Sequence, residues 1–154
     1  MSGHVVDIHI APRAEAPMTA VREVRAEAGR GLEGDRYYLH TGTYSETPGT
    51  GRDMTFISAE ALAEVAKEHG ITLAPGESRR NVTTKGVDLN ALVDKEFHVG
   101  EVVLRGMRLC EPCEYVQGLT GKDGLLKALV HRGGLRADII RGGTIRVGDE
   151  IAAS

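Results

Sequence analysis

The sequence predicts a mainly β fold: a barrel-like sheet carrying a few peripheral helices, α+β by content. Three observations lead there. Segments of strand character outnumber helical ones, and the helices interrupt the strands instead of alternating with them, which argues against a doubly wound βαβ sheet. Twenty glycines are spread through 154 residues that are only 4% aromatic, the mark of many short elements joined by tight turns. No phosphate-binding glycine loop follows a strand, because "GRGLEGD" (29–35) lacks both the P-loop Lys-Ser/Thr and the GxGxxG spacing.

Along the chain, "HVVDIHI" (4–10) alternates poorly but is rich in β-branched residues and reads as the opening strand. "MTAVREVRAEAGRGLEGD" continues as a short mixed segment and a glycine-punctuated loop. "HTGTYSETPGTGRD" (40–53) is polar and turn-rich, the expected mobile surface loop. In "ISAEALAEVAKEHG", Ser58 caps a helix, Gly70 closes it, Ile57 and Leu62 are placed for a hydrophobic staple, and Leu62, Val65 and Ala66 form its apolar stripe. "RRNVTTKGVDLNALV" reads as strand, turn and helical turn. "KEFHVGEVVLRGMRL" (95–109) reads as two strands broken at Val99-Gly100. A second helix is expected at "DGLLKALVHRGG", from Asp123 as cap to Gly133 as terminator. "LRADIIRGGTIRVGDEI" closes the chain as a predicted hairpin, with Gly142-Gly143 supplying the positive φ of its turn. No repeat, linker or internal boundary appears, so residues 1–154 are read as a single domain.

Composition excludes several classes. A net charge of -3 gives no argument for nucleic acid or a membrane surface. No stretch approaches the ~20 apolar residues of a membrane helix, and "MSGHVVDIHI" lacks the pattern of an export signal. A reduced, cytoplasmic setting is expected, where a close cysteine pair is metal-binding or catalytic more often than a disulfide.

Such a pair exists. Cys110 and Cys113, in "RLCEPCEYV", are the only cysteines. A zinc site wants four ligands, and here one knuckle faces six histidines with no H-x3-5-H pairing; completion by His98 and His131 would leave the usual pattern half missing, so zinc is disfavoured. A thioredoxin-type couple needs a helix N-terminus to lower the thiol pKa, whereas Glu111 and Glu114 flank this pair. Two cysteines packed as small hydrophobes are the ordinary alternative. Against it stands the proline-bent, glycine-flanked setting, with Arg105 and Arg108 just upstream.

The segments "GLEGDRY" (31–37), "FISAEAL" (56–62), "RRNVTTKGVDLNAL" (79–92), "FHVGEVVLRGMRLCEPC" (97–113) and "GGTIRVGDEI" (142–151) together resemble, in that order, the MOSC domain family, named for the C-terminal domain of molybdenum cofactor sulfurases. The resemblance spans about His4 to Ile151 and implies a standalone, bacterial-type member with a MOSC-type β-barrel. It also implies a role with the molybdenum cofactor or its sulfur. Cys113 matches the family's functional sulfur, which ligates molybdenum in amidoxime-reducing relatives and helps present sulfur in sulfurases. Arg79 and Asn81 match the arginine and asparagine beside the cofactor, while Cys110 is matched in only some members.

Chemistry agrees with that assignment. A thiolate is a soft donor suited to such a metal, and Arg79, Arg80 and Arg132 are the right groups to pair the cofactor's phosphate by bidentate hydrogen bonds. Exposed arginine is the common case, so Arg80 and Arg132 read equally as surface groups. Asn81 reads equally as a turn residue, and Asp35 and Gly34 as parts of their own loop. Where many standalone relatives carry an aromatic-Ala-Arg run, this chain reads Arg136-Ala137-Asp138.

The resemblance leaves three functions open. An oxidoreductase would use Cys113 as metal ligand to reduce N-hydroxylated compounds, with electrons from a separate donor protein. A non-redox sulfur carrier would hold a persulfide on Cys113, loaded by a sulfur-donor protein. A binding or storage module would hold the cofactor without catalysis. Sulfurases carry a separate pyridoxal-phosphate domain that does not fit in 154 residues, so pyridoxal phosphate binding attaches to this chain only as a family-level property.

Overall fold

The computed structural model describes residues 3–12, 16–35, 53–73, 78–109 and 134–153. The expected mobile loop (all but Asp53), the cysteine pair, the second helix with His131 and Arg132, and its terminator Gly133 lie outside them.

Among the described residues, eleven strands, one helix and one 3-10 turn follow in the order β1 (Gly3–Ile10), β2 (Thr19–Val21), β3 (Glu23–Glu27), β4 (Gly31–Leu32), β5 (Met54–Ser58), α1 (Ala59–His69), β6 (Val82–Lys85), η1 (Leu89–Leu92), β7 (Glu96–Val99), β8 (Val102–Leu109), β9 (Leu135–Arg141), β10 (Gly143–Arg146) and β11 (Glu150–Ala153). Hydrogen bonding runs β11-β7-β8-β9-β5-β6-β1, and β11 pairs back onto β1, so seven strands close into a barrel. Closure removes the free edges that an open sheet would leave. β2 adds to the far end of β1, while β10, β3 and β4 form a small separate sheet.

The barrel interior is filled by inward residues of alternate strand positions, among them Val5, Ile8, Met54, Phe56, Val82, Phe97, Leu104, Leu135, Ala137 and Ile151. The two phenylalanines of the chain meet edge to face there, with ring centroids 5.6 Å apart. β1 alternates poorly for a physical reason. Its register against β6 shifts between Val5 and Asp7, a bulge that turns both Val5 and Ile8 inward and leaves Asp7 and His9 on the outer face.

α1 forms with the expected caps, but of the expected stripe only Val65 is buried, Leu62 and Ala66 being half-buried. Ser58 Oγ accepts the Ala61 N–H at 2.9 Å, and Gly70, in the left-handed region at φ 67°, donates its N–H to the Ala66 carbonyl at 3.0 Å. Glu60 in the first turn and Lys67 and His69 in the last suit the helix dipole. The helix buries Ala61 and Val65 and connects β5 to β6, which pair in parallel. A parallel pair needs such a crossover, since no tight turn can link its strands. β6, the turn and η1 also follow the sequence, as do β7 and β8, which are joined through Gly100 at φ 57°.

The predicted closing hairpin does not form. β9 pairs with β8 and β5, whereas β10 leaves the barrel and pairs with β3 (Gly143 opposite Ala26). Neither Gly142 nor Gly143 has positive φ. They are needed for close approach instead: a Cβ on Gly142 would lie 2.6 Å from the Ala26 carbonyl oxygen, and one on Gly143 would lie 2.7 Å from Glu101 Cγ. The Gly-Gly step lets the chain change sheets where backbones cross. β3 was also hidden in the mixed segment, although "EVRAE" buries only Val24 and Ala26, the alternation of a half-exposed strand.

Candidate functional site

The residues of "RRN" enter β6 and are all buried: Arg79 is 9% exposed, Arg80 7% and Asn81 1%. Burying two adjacent arginines is costly unless their charges are compensated. Arg79 Nη1 donates to the Ala16 carbonyl, tying the segment after β1 to the entrance of β6, and the Arg80 N–H reaches Ser78 Oγ at 3.4 Å. Arg79 also has φ 66°, a left-handed backbone that L-residues with long side chains rarely adopt.

Asn81 is a clamp and not a turn residue. Its Oδ1 accepts from the Thr55 N–H at 3.0 Å and the Thr55 hydroxyl at 3.2 Å, while its own N–H donates to Thr55 Oγ1 at 3.0 Å. On the other side its Nδ2 donates to the His9 carbonyl at 3.1 Å, and its carbonyl accepts the His9 N–H at 2.6 Å. One side chain thus ties β1, β6 and β5 together.

These contacts belong to a transverse row of polar residues on the outer face. Arg108 stands opposite Arg136, Arg136 opposite Thr55, and Thr55 is bonded to Asn81 and Asn81 to His9, across five neighbouring strands. One step further, Leu109 pairs with Leu135, Leu135 with Phe56 and Phe56 with Val82. Leu109 is the last described residue before the cysteine pair. Of the variant run, Arg136 falls in the row, Ala137 is core, and Asp138 stands opposite Arg105.

Asp35 does more than hold its own loop. Its N–H donates to the Leu32 carbonyl at 2.9 Å, and its Oδ1 accepts the Ala11 N–H at 3.1 Å, pinning the chain as it leaves β1. Gly34, at φ 88°, makes the turn before it. Asp53, the first described residue after the 40–52 segment, accepts the Ile139 N–H through Oδ2 at 2.9 Å. Burial pushes its carboxyl above the ordinary 3.8, and nearby Asp138 adds to that rise, while hydrogen bonds from the Ile139 and Gly29 backbone oppose it.

The structure therefore brings Arg79, Arg80 and Asn81 together, whereas Cys113 and Arg132 lie outside the described residues. A cleft of about 440 Å³ lies elsewhere, between the start of α1 and the turn before η1. It is lined by Glu60, Glu64 and Asp88 among others, contains none of the three, and is the wrong sign for a phosphate. Among the described residues no three His, Cys, Asp or Glu side chains are placed to share a metal ion. His9, Thr55 and Asp53 were missed in the sequence; the Asp-Ile-His alternation of β1 was the available signal for the first.

The MOSC domain family model matches residues 11–152, nearly the whole chain. The chain belongs to the MOSC domain family. Solved structures agree in fold. The YuaD protein of Bacillus subtilis superposes with a TM-score of 0.77 at 20% identity, over 98% of this chain and 94% of that one. YiiM of Geobacillus stearothermophilus gives 0.76 at 14% identity, over 99% and 75%. YiiM of Escherichia coli gives 0.73 at 18% identity, over 100% and 70%. No curated relative matches the chain. At these identities the likeness is one of architecture, and the MOSC barrel is what these proteins share. No helix among the described residues of this MOSC chain is long and apolar enough to cross a membrane.

Proposed function

We propose that this MOSC protein binds the molybdenum cofactor against the Arg79–Asn81 wall, with Arg132 alongside and the Cys113 thiolate as metal ligand, and that it reduces N-hydroxylated compounds. The observation that carries this is Arg79. A buried, non-glycine residue held at φ 66° stores backbone strain that glycine would relieve, so its guanidinium is retained for a purpose. Paired with Arg80, it offers the planar donors that phosphate takes two at a time.

The residues fit the group. A pterin phosphate needs cationic donors in a site shielded from water, and two arginines less than one-tenth exposed meet that requirement. When bound, the cofactor would supply a thiolate-accepting metal able to exchange two electrons. The chain's own residues bind and orient it: Arg79 and Arg80 by charge, Asn81 by fixing the strands from which they project. Electrons come from a separate donor protein.

The test is metal, pterin and sulfur analysis of protein purified from a molybdenum-sufficient host, with Cys113→Ser and Cys110→Ser alongside. Molybdenum near one per chain that is lost in Cys113→Ser and kept in Cys110→Ser supports the proposal. Sulfane sulfur on Cys113 without metal would replace it with the sulfur carrier. Bound cofactor without reduction of an N-hydroxylated amine would leave a storage module.

A further inference from the structure

β8 and β9 bury one face and present the other. Val102, Leu104 and Gly106 of β8 and Leu135, Ala137 and Ile139 of β9 are buried at alternate positions. Continued strictly, that alternation would turn Arg108 and Arg141 into the core. Two bulges prevent it. One adds Met107 to β8 and sets Arg108 opposite Arg136; the other adds Ile140 to β9 and sets Arg141 opposite Val103. Arg108 and Arg141 are exposed as a result. Ile140, between them on this face, is 51% exposed, more than any other large hydrophobic among the described residues.

The outcome is a cationic sheet face on an acidic chain. Over β8 and β9 the charged residues are Arg105, Arg108, Arg136 and Arg141 against Asp138 alone, whereas the whole chain has 19 bases to 22 acids. β7 adds Glu96, which stands opposite Arg105 as Asp138 does, and Glu101 lies in the turn between β7 and β8. The two facing acids are thus grouped at the middle of the face, with Arg108 and Arg136 side by side at one end and Arg141 at the other. The Arg108 end adjoins the proposed site. Arg136 pairs with Thr55, which is bonded to Asn81, and β8 runs on in sequence to Cys110 and Cys113.

Reduction of R–NHOH takes two electrons and two protons and gives R–NH2 and water. A one-electron carrier must therefore dock twice per turnover, giving up one electron each time while solvent supplies the protons. Electron-transfer encounters of this kind are small and short-lived, and charge steers them. Resting on the function proposed above, we infer that the outer face of β8 and β9 is where an acidic electron-donor protein docks. Arginine takes a carboxylate by two parallel hydrogen bonds and is enriched among the residues that dominate interfaces. Ile140 supplies an apolar contact among them. The net charge of -3 repels an acidic partner overall, so this face sets the orientation of approach as well as its rate.

The test uses the cofactor-loaded protein, an aryl hydroxylamine as substrate and reduced plant-type ferredoxin, an acidic one-electron carrier, as the probe. Arg108→Glu and Arg141→Glu should each lower kcat/KM for ferredoxin about tenfold at low salt. The loss should shrink at about 1 M salt, where charges are screened within about 3 Å. Molybdenum content and the rate with reduced methyl viologen, which needs no docking face, should stay unchanged. Arg22→Glu, the same charge change at an exposed position between β2 and β3, should leave ferredoxin kinetics unaltered. Calorimetric titration of ferredoxin into each protein reads docking apart from turnover, and Ile140→Ala should weaken it at either salt. Equal losses in Arg22→Glu would trace the effect to overall charge and overturn the face, as would unaltered binding in both arginine variants. So would a molybdenum content or viologen-driven rate that falls with them, or a DNA or RNA oligonucleotide bound through the same arginines in place of ferredoxin. Native protein that docks ferredoxin on this face but loads no molybdenum fails the proposed function alone. Native protein that loads and turns over with viologen yet docks no ferredoxin fails the docking alone.

Discussion

Asn81 and Thr55 hold each other by three hydrogen bonds, two of them through Asn81 Oδ1 and one through its backbone N–H, all within 3.2 Å. The pair joins two parallel strands at the level where the arginines enter the barrel. Asn81→Ala would strand the Thr55 N–H and the His9 carbonyl in a buried setting. At roughly 1–3 kcal/mol for each unsatisfied group, a loss of about 3 kcal/mol or more is expected by urea denaturation. A loss below about 1 kcal/mol would mean that other groups already satisfy those atoms.

Arg79 separates strain from binding. Arg79→Gly relieves the left-handed backbone, a gain of about 1 kcal/mol that offsets the lost bond to the Ala16 carbonyl, so stability should change little. Anion binding should fall sharply. Arg79→Lys keeps the charge but also the strain, and it loses the planar fork. It is therefore expected to bind pterin phosphate more weakly than the native protein. If Arg79→Gly binds as well as native protein, the guanidinium is only a tether.

Asp53 predicts a pH dependence of known sign. Its folded pKa is raised above 3.8, chiefly by burial, so its contribution to stability is fully present below 3.8 and is lost as pH rises through the folded value. Asp53→Asn keeps an oxygen to accept the Ile139 N–H without the buried charge. Relative to native protein it should gain stability between acid and neutral pH. A constant difference in melting temperature across that range would contradict the raised carboxyl.

Phe56 and Phe97 carry the core contact, and each is fully buried. Truncating either to Ala should cost about 3–5 kcal/mol. If the edge-to-face contact contributes beyond area, a double-mutant cycle should return about 0.5–1.5 kcal/mol of coupling.

Much of this was legible in the residues. α1 could be read because Ser58 and Gly70 mark both ends chemically, and β7 and β8 because Gly100 breaks a run of strand formers. The Gly142-Gly143 step misled because the same dipeptide serves a tight turn and a close backbone crossing, and only long-range pairing tells them apart. Arg79 and Asn81 stood out through resemblance, and Arg80 only as a cation suited to phosphate. Their burial did not, since nothing local to "RRN" says which side of a barrel wall it will face. The burial of His9 gave no signal because it follows a bulge at Val5–Asp7, which a period-two reading of β1 registers only as poor alternation.

Closure of the barrel has a kinetic side. Gly3 pairs with Ile151, and Val5 donates its N–H to the Asp149 carbonyl, so the first and last described strands meet across nearly the whole sequence. Loop-closure entropy for such a contact must be met before the contact stabilises anything, which slows folding. During synthesis β1 emerges early and waits for β11, its outer edge free to pair with another nascent chain. Refolding yield should therefore fall with protein concentration more steeply than unfolding rates would suggest, and a charged residue at exposed Val6 would lessen that loss by discouraging a wrong partner at the waiting edge.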